Sequence, residues 1–248
     1  MNAGRRSGRI QNKIISAKTL EYGWIMTRES RQVILEKLKN AAKAKTKPRP
    51  AMPPLPELSL SREELVSRFS ENFSEQTGLL YRVKDAAEAK AKLAEITVRE
   101  NLKAIMISTD TVIAPFDLTG WGKLSGVDVW KAKDFCNREA YREAVFSKIQ
   151  AGVTGADFAV AESGTICLIH DQDQPRLISI APILHIAMLP IERLFPVYEN
   201  ATDRVFADKG KQPSHFTLIT GPSMTADIQG GQFKGMHGPG RIIVILIG

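Results

Sequence analysis

This sequence predicts an α/β fold built on a mixed, mainly parallel sheet flanked by helices. Three observations lead there. Short apolar runs alternate with amphipathic stretches of helical length between residues 61 and 149, the pattern of successive βαβ units. The chain has 248 residues, 43% of them hydrophobic and 25% charged, enough to bury a full core without disulfides or metals. It ends on Ile242-Ile-Val-Ile-Leu-Ile247, a run apolar on both faces that suits a central strand.

Along the chain, Thr27 to Lys45 reads as a helix, with Ile34, Leu38 and Ala42 recurring at i, i+4 and i+8. Five prolines between Pro48 and Pro56 deny both helix and ladder, so an extended linker or strap is expected there. Ser61-Arg-Glu-Glu64 spells a capping box ahead of Leu65, Phe69 and Phe73, and that helix should end near Gly78. Then follow a strand at Leu79–Val83, a helix at Asp85–Glu100, a buried strand at Ala104–Ser108, a strand at Val127–Trp130 and a helix at Asn137–Ile149.

After Gly152 the apolar runs crowd together. Phe158–Ala161, Gly164–His170, Arg176–Ala181 and Ile183–Leu189 read as strands with no room for helices between them, which implies an antiparallel or mixed section of sheet. A helix over Ile191–Asp208, disturbed by Pro196, and strands at His215–Thr220 and Arg241–Ile247 complete the pattern. The expected organisation is a basic, disordered extension over 1–25, a helix with a proline-rich linker over 26–60, and an α/β domain over 61–248. Met26 opens the helical pattern, so residues 1–25 read as upstream of the natural start.

The net charge of +7 raises the question of a polyanionic partner, and its distribution answers it. Residues 1–50 hold 13 Lys/Arg against 3 Asp/Glu, whereas residues 51–248 hold 21 against 24. The basicity is confined to the arm, which reads as a solvated tail, and the body lacks the basic face with interleaved aromatics that grips nucleic acid. No apolar run reaches the roughly 18–20 residues that span a bilayer, and Lys13 and Lys18 interrupt any secretory h-region. A cytoplasmic setting is expected. Cys136 and Cys167 stand far apart with no C-x-x-C, so no metal site and no resident cofactor are expected. Neither a Walker A nor a G-x-G-x-x-G sequence occurs, and Ser163 lacks the G-x-S-x-G elbow.

Three segments are spelled in ways that packing does not demand. The first runs from Gly152 through Thr154, Gly155 and Asp157 to Glu162, Ser163, Gly164 and Thr165. Its small residues admit close approach to the backbone, and its hydroxyls and amides suit an anion. The second, Gly221-Pro-Ser223-Met-Thr225-Ala-Asp227, follows a strand and reads as leading into a short helix. The third is His237-Gly-Pro-Gly240, whose histidine is a candidate acid/base. Each has a plain alternative: Gly-Pro turns punctuate hairpins, and Asp157 and Asp227 suit turn or helix caps. The three stretches are expected to converge on one polar pocket, with Asp157, Glu162 and Asp227 facing a small carboxylate or phosphate ligand.

In order and spacing these segments resemble the signature stretches of the lactate-utilisation (LUD-domain) family. The matching stretches are Thr154–Thr165, Gly221–Gln229 and Gly235–Pro239, ahead of the closing strand. The resemblance runs from about Met26 to the C-terminus. It implies a fold similar to the ribose-phosphate isomerase, glucosamine-phosphate deaminase and CoA-transferase group. It also implies a part in oxidising L-lactate to pyruvate together with iron–sulfur partner proteins, without a redox cofactor of its own. An alternative is a stand-alone enzyme of the CoA-transferase or sugar-phosphate type, with Glu162 as nucleophile or base. Met224 stands where the family commonly has a basic residue and Gln229 where Glu is usual, which weakens anion binding at that loop. The sequence leaves the oligomeric state open.

Overall fold

The computed structural model describes residues 28–41, 60–207, 213, 215–228 and 231–248. The expected extension over 1–25 and the proline-rich stretch lie outside those residues. The chain divides into two compact units, Met1–Pro56 and Glu57–Gly248. Of the first, only helix α1 (Arg28–Asn40) is described.

The second unit opens with α2 (Arg62–Glu75), started by the capping box that its sequence spells. Ser61 Oγ accepts from Glu64 N at 3.3 Å, and Glu64 Oε2 accepts from Ser61 N at 2.7 Å. Two orphan amides of the first turn are thereby satisfied. Strand β1 (Leu79–Val83), α3 (Ala86–Arg99) and β2 (Ala104–Ile107) follow. Next come α4 (Leu118–Ser125), β3 (Asp128–Lys131), α5 (Arg138–Ser147) and β4 (Ala151–Gly155). A hairpin of β5 (Phe158–Val160) and β6 (Thr165–Ile169) leads into α6 (Leu177–Ile180), β7 (Leu184–Pro190), β8 (Leu194–Phe195) and α7 (Tyr198–Val205). The chain finishes with β9 (Phe216–Ile219), β10 (Met224–Ile228), β11 (Gly231–Lys234) and β12 (Arg241–Ile247).

Six strands form the main sheet in the order β1-β12-β7-β4-β2-β3, every neighbouring pair parallel. Both faces are covered, as a parallel sheet requires. On one face α3 and α4 bring Leu93, Ile96 and Leu118 onto Ile105, Val153, Ile186 and Ile243. On the other, α2 lays Phe69 and Phe73 over Ala187, Val244 and Leu246, while α5 and α6 pack Val145 and Ile178 near Met106. Beside α2 on this second face lies a smaller sheet, β8-β5-β6-β9. Helix α7 closes a further cluster around Phe158, Val160 and Cys167.

The closing strand lies inside the main sheet, as its two apolar faces predict. The antiparallel section is also present, but as the separate smaller sheet, so the main sheet is wholly parallel. Four local expectations are corrected. Arg176–Ala181 contains a single helical turn, α6, because Ile178 must sit against the sheet beside Gly152. Gly152–Gly155, left outside the expected strands, is the buried strand β4. The segment after Ile191 breaks into a 3-10 turn, β8 and then α7 instead of one helix. Met224–Ile228 and Gly231–Lys234 pair as the antiparallel strands β10 and β11 instead of forming a short helix.

Gly152 fixes how closely α6 can approach: a Cβ there would meet Ile178 O at 1.8 Å. Gly152→Ala is therefore expected to destabilise the protein by about 1–3 kcal/mol through overpacking. Urea unfolding of the variant beside the wild type measures this, and an unchanged midpoint would show that α6 shifts freely.

Candidate functional site

The strand order determines where a crevice must open. From β2 the chain moves outward to β3, then crosses back over β2 to β4, and β7 and β12 continue in that second direction. Connections at the carboxyl ends of β2 and β4 therefore diverge, and open α/β sheets bind ligands at such a reversal. The loop after β2 carries Ser108-Thr109-Asp110, and the loop after β4 carries Ala156-Asp157.

Asp110 joins the two strand ends. Its Oδ2 accepts from Gly155 N at 3.0 Å and from Ser108 Oγ at 2.5 Å, and its Oδ1 accepts from Val112 N at 2.7 Å and Ile113 N at 3.2 Å. Gly155 has no room for a side chain, since a Cβ would lie 2.3 Å from Asp110 Oδ1 and 2.5 Å from Val112 Cβ.

Asp157 is partly buried two residues further on. Its Oδ2 accepts from Ile169 N at 2.6 Å and from Gln174 Nε2 at 3.0 Å. Burial pushes its carboxyl up to about 6, and the nearby Asp110 adds to that. The Ile169 amide, Arg193 and Gln174 pull the other way without prevailing. Arg193 reaches in from the turn after β7, donating from Nη1 to Ala156 O at 3.2 Å and from Nη2 to Thr111 Oγ1 at 3.4 Å. The rest of its five-donor fork remains for another acceptor. Beside Asp110, Thr109 binds the loop before α6, its N donating to Asp173 O at 2.7 Å and its Oγ1 to Asp173 Oδ1 at 2.8 Å. A carboxyl that titrates near neutrality beside a planar cation can bind a carboxylate ligand and exchange a proton with it.

The residues singled out from the sequence separate into three places. Gly155 and Asp157 belong to this crevice. Thr154 lies inside the core, where its Oγ1 meets His185 Nε2 at 2.8 Å with both residues fully buried. It cannot touch a ligand there. The others gather at the opposite, amino edge of the sheet, near the last turn of α2. Ser163 Oγ, Thr165 Oγ1 and Thr220 Oγ1 form a ladder of hydroxyls at 2.8 and 3.0 Å. Gly164, at φ +61°, turns the β5–β6 hairpin so close to α2 that a Cβ would lie 2.4 Å from Phe73 N. Gly221 packs equally closely on Gln76.

Glu162 is exposed, and its Oε1 accepts from Tyr198 N at 2.9 Å, capping the first turn of α7. Ser223 closes a loop just before β12: its N donates to Pro239 O at 2.8 Å, and its Oγ accepts from His237 N at 3.2 Å. Thr225 and Asp227 fall in β10, and for Asp227 only the backbone course is described. Asp157 and Glu162, both expected in one pocket with Asp227, are therefore set apart among the described residues. The physical reason is the β5–β6 hairpin, which places Asp157 and Glu162 at its opposite ends.

Sequence reasoning passed over Asp110, Gln174 and Arg193. The Ser-Thr-Asp spelling directly after a buried strand was an available signal for the first. Gln174 and Arg193 arrive from loops distant in sequence, and no local pattern marks them.

Fold and crevice together define a doubly wound α/β protein with a small polar site at its strand-order reversal. The chain belongs to the LUD-domain family, whose model matches residues 66–247. It is 31% identical over 164 residues to a lactate utilization protein C of Anoxybacillus flavithermus, spanning 66% of this chain and 71% of that one. With the protein of the same name from Halalkalibacterium halodurans it shares 28% over 220 residues, 86% and 94% of the two chains. The match to the Bacillus subtilis protein, 32% over 125 residues, spans 51% of that relative. A crystal structure of a DUF162 family protein from Deinococcus radiodurans shares the fold at a TM-score of 0.56, with 22% identity over 76% of this chain and 99% of that one.

The raised Asp157 carboxyl gives a pH signature. An unfolded aspartate releases its proton near pH 4, whereas the folded chain holds this one to about pH 6. Between those values the native state binds more protons, so this group's contribution to stability falls as pH rises. Discounted for partial solvent access, the loss amounts to about 1–2 kcal/mol. Asp157→Asn should therefore gain that much against wild type at pH 7.5 relative to pH 4.5 in urea unfolding. An equal difference at both pH values would mean that Asp157 titrates normally.

Proposed function

We propose that this chain serves lactate utilisation in the cytoplasm by holding a small 2-hydroxy or 2-oxo acid in the crevice after β2 and β4. The observation that carries the reading is Asp157 kept near neutral titration beside Arg193. The relatives named for lactate utilisation supply the substrate class. Arg193 would take the ligand carboxylate on its unused N–H groups. Asp157, anionic above about pH 6, would accept the hydroxyl proton as lactate is oxidised. Gln174 and the Ile169 amide hold that carboxylate in place, and Asp110 holds the Gly155 turn.

Oxidation of lactate to pyruvate releases two electrons and two protons. In this reading iron–sulfur partner proteins receive the electrons, Asp157 takes the hydroxyl proton, the Cα proton passes to solvent, and this chain positions the acid. Among the described residues no three His, Cys, Asp or Glu side chains are grouped to hold a metal ion, and no helix is long and apolar enough to cross a membrane. The alternative with Glu162 as nucleophile has less support, because that carboxylate caps α7 at the far edge of the sheet.

Titration calorimetry of the purified chain with L-lactate and with pyruvate tests the site. Arg193→Gln should weaken binding about tenfold or more, the loss expected for one hydrogen bond to a charged group. In a strain lacking the gene, Asp157→Asn should fail to restore growth on L-lactate while the protein remains folded. Full complementation by both variants would remove the crevice from the function.

A further inference from the structure

The crevice continues sideways, past Thr109, into a cleft at the carboxyl ends of β2 and β3. This cleft measures about 240 Å³ and is lined by Thr109, Lys131, Lys133, Gln172 and Asp173 among others. Lys131 lies directly opposite Ile107, the last residue of β2, in the parallel ladder. Lys133 follows in the turn after β3. We propose that this cleft is a second binding site, one that takes the phosphoryl group of a phosphate ester beside the small acid held at Asp157 and Arg193.

Three observations carry it. First, the cations form no ion pair among the described residues. The ion pairs of the described residues use Arg82, Lys84, Lys92, Arg99 and Arg241, and neither Lys131 nor Lys133 enters one. The lining holds one acid, Asp173, which keeps its charge while accepting from Thr109, so two lysines against one carboxylate leave the lining one net positive charge. Second, that surplus is local. Residues 51–248 carry 21 Lys/Arg against 24 Asp/Glu, so the positive lining of the cleft is not part of a generally basic body.

Third, the type of cation matters. A lysine ammonium is a compact point charge that can meet any oxygen of a tetrahedral phosphoryl group, whereas an arginine fork matches a planar carboxylate in two parallel bonds. Two lysines stand at the β3 end and one arginine at the β4 end of the same edge. The two ends therefore suit different anions. Thr109 joins them, since it lines the cleft while the adjacent Asp110 anchors Gly155.

The site rests on the crevice assigned above, and its test is chosen to stand apart from lactate binding. Inorganic phosphate is titrated into the full-length chain at constant ionic strength, with amide shifts of Thr109, Lys131 and Asp173 followed by 1H–15N NMR. Saturable shifts confined to those residues are expected, and Lys131→Gln/Lys133→Gln should weaken phosphate binding at least tenfold without lowering the melting temperature. The same double variant should keep its affinity for L-lactate, and Arg193→Gln should keep its affinity for phosphate. Lactate binding that fails while phosphate binding depends on the lysines would overturn the lactate reading alone. Unsaturable shifts, or equal phosphate binding by the double variant, would overturn the site. Acetate acting at the same residues with equal affinity would make it a carboxylate site and overturn the phosphoryl assignment.

Discussion

A sheet of parallel strands cannot leave a face to water when each strand returns through a crossover, and that constraint organises the second unit of this chain. Six parallel strands demand two covering layers. α3 and α4 supply one of them. The other is composite, with α2, the smaller sheet, α5 and α6 sharing the remaining face. Such a crowded layer requires small residues beneath it. Gly152 lies under α6, Ala187 lies under α2 and the smaller sheet, and Thr154 pairs with buried His185 in place of an apolar contact. With both faces filled, only the two edges of the sheet remain open for chemistry.

Those edges differ in how their polar groups are used. At the amino edge they mostly bind one another. The hydroxyl ladder of Ser163, Thr165 and Thr220 joins the β5–β6 hairpin to the end of β9. Lys234 donates to Thr77 at 3.1 Å, and Arg241 pairs with Glu100 at 2.5 Å. All of these but the Ser163–Thr165 contact join elements distant in sequence, so this edge acts as a seam. At the carboxyl edge Asp157 Oδ1, most of the Arg193 fork and the ammoniums of Lys131 and Lys133 have no partner among the described residues. Donors and acceptors left unused beside a crevice suit a ligand better than a seam.

Periodicity made most helices and strands legible. The capping box at Ser61, the cap at Asp85 and the strand at Leu79–Val83 each report on a few neighbouring residues. What the sequence concealed depended on partners elsewhere. Leu177-Ile-Ser-Ile180 has the composition of a strand, yet it coils because Gly152 of another strand makes room for it. Gly152-Val-Thr-Gly155 has the composition of a turn, yet burial on both sides holds it extended. The site followed the same rule. Glu162 and Asp157 are separated by five positions and share one signature, but a hairpin carries them to opposite edges. Asp110 and Arg193, 83 positions apart, reach one crevice because the strand order reverses between β2 and β4.

Two titratable groups, the buried His185 and the partly buried Asp157, act on stability with opposite signs. Burial lowers His185 to about 3, and the nearby His170 adds to that, so its ring remains neutral in the folded chain. In the unfolded chain the same ring takes up a proton near pH 6.5. Its contribution to stability is therefore lost as pH falls below that value. Asp157 does the reverse, since the folded chain holds its proton to about pH 6 and this contribution grows as pH falls toward 4. Between pH 6 and 4 the two linkages therefore act on stability in opposite directions. A flat stability profile in mild acid is then compatible with two strongly perturbed groups. Only His185 is locked away from solvent, with Nε2 on Thr154 and Nδ1 without any partner. Asp157 remains within reach of the crevice, so of the two it is the one whose proton a ligand can exchange.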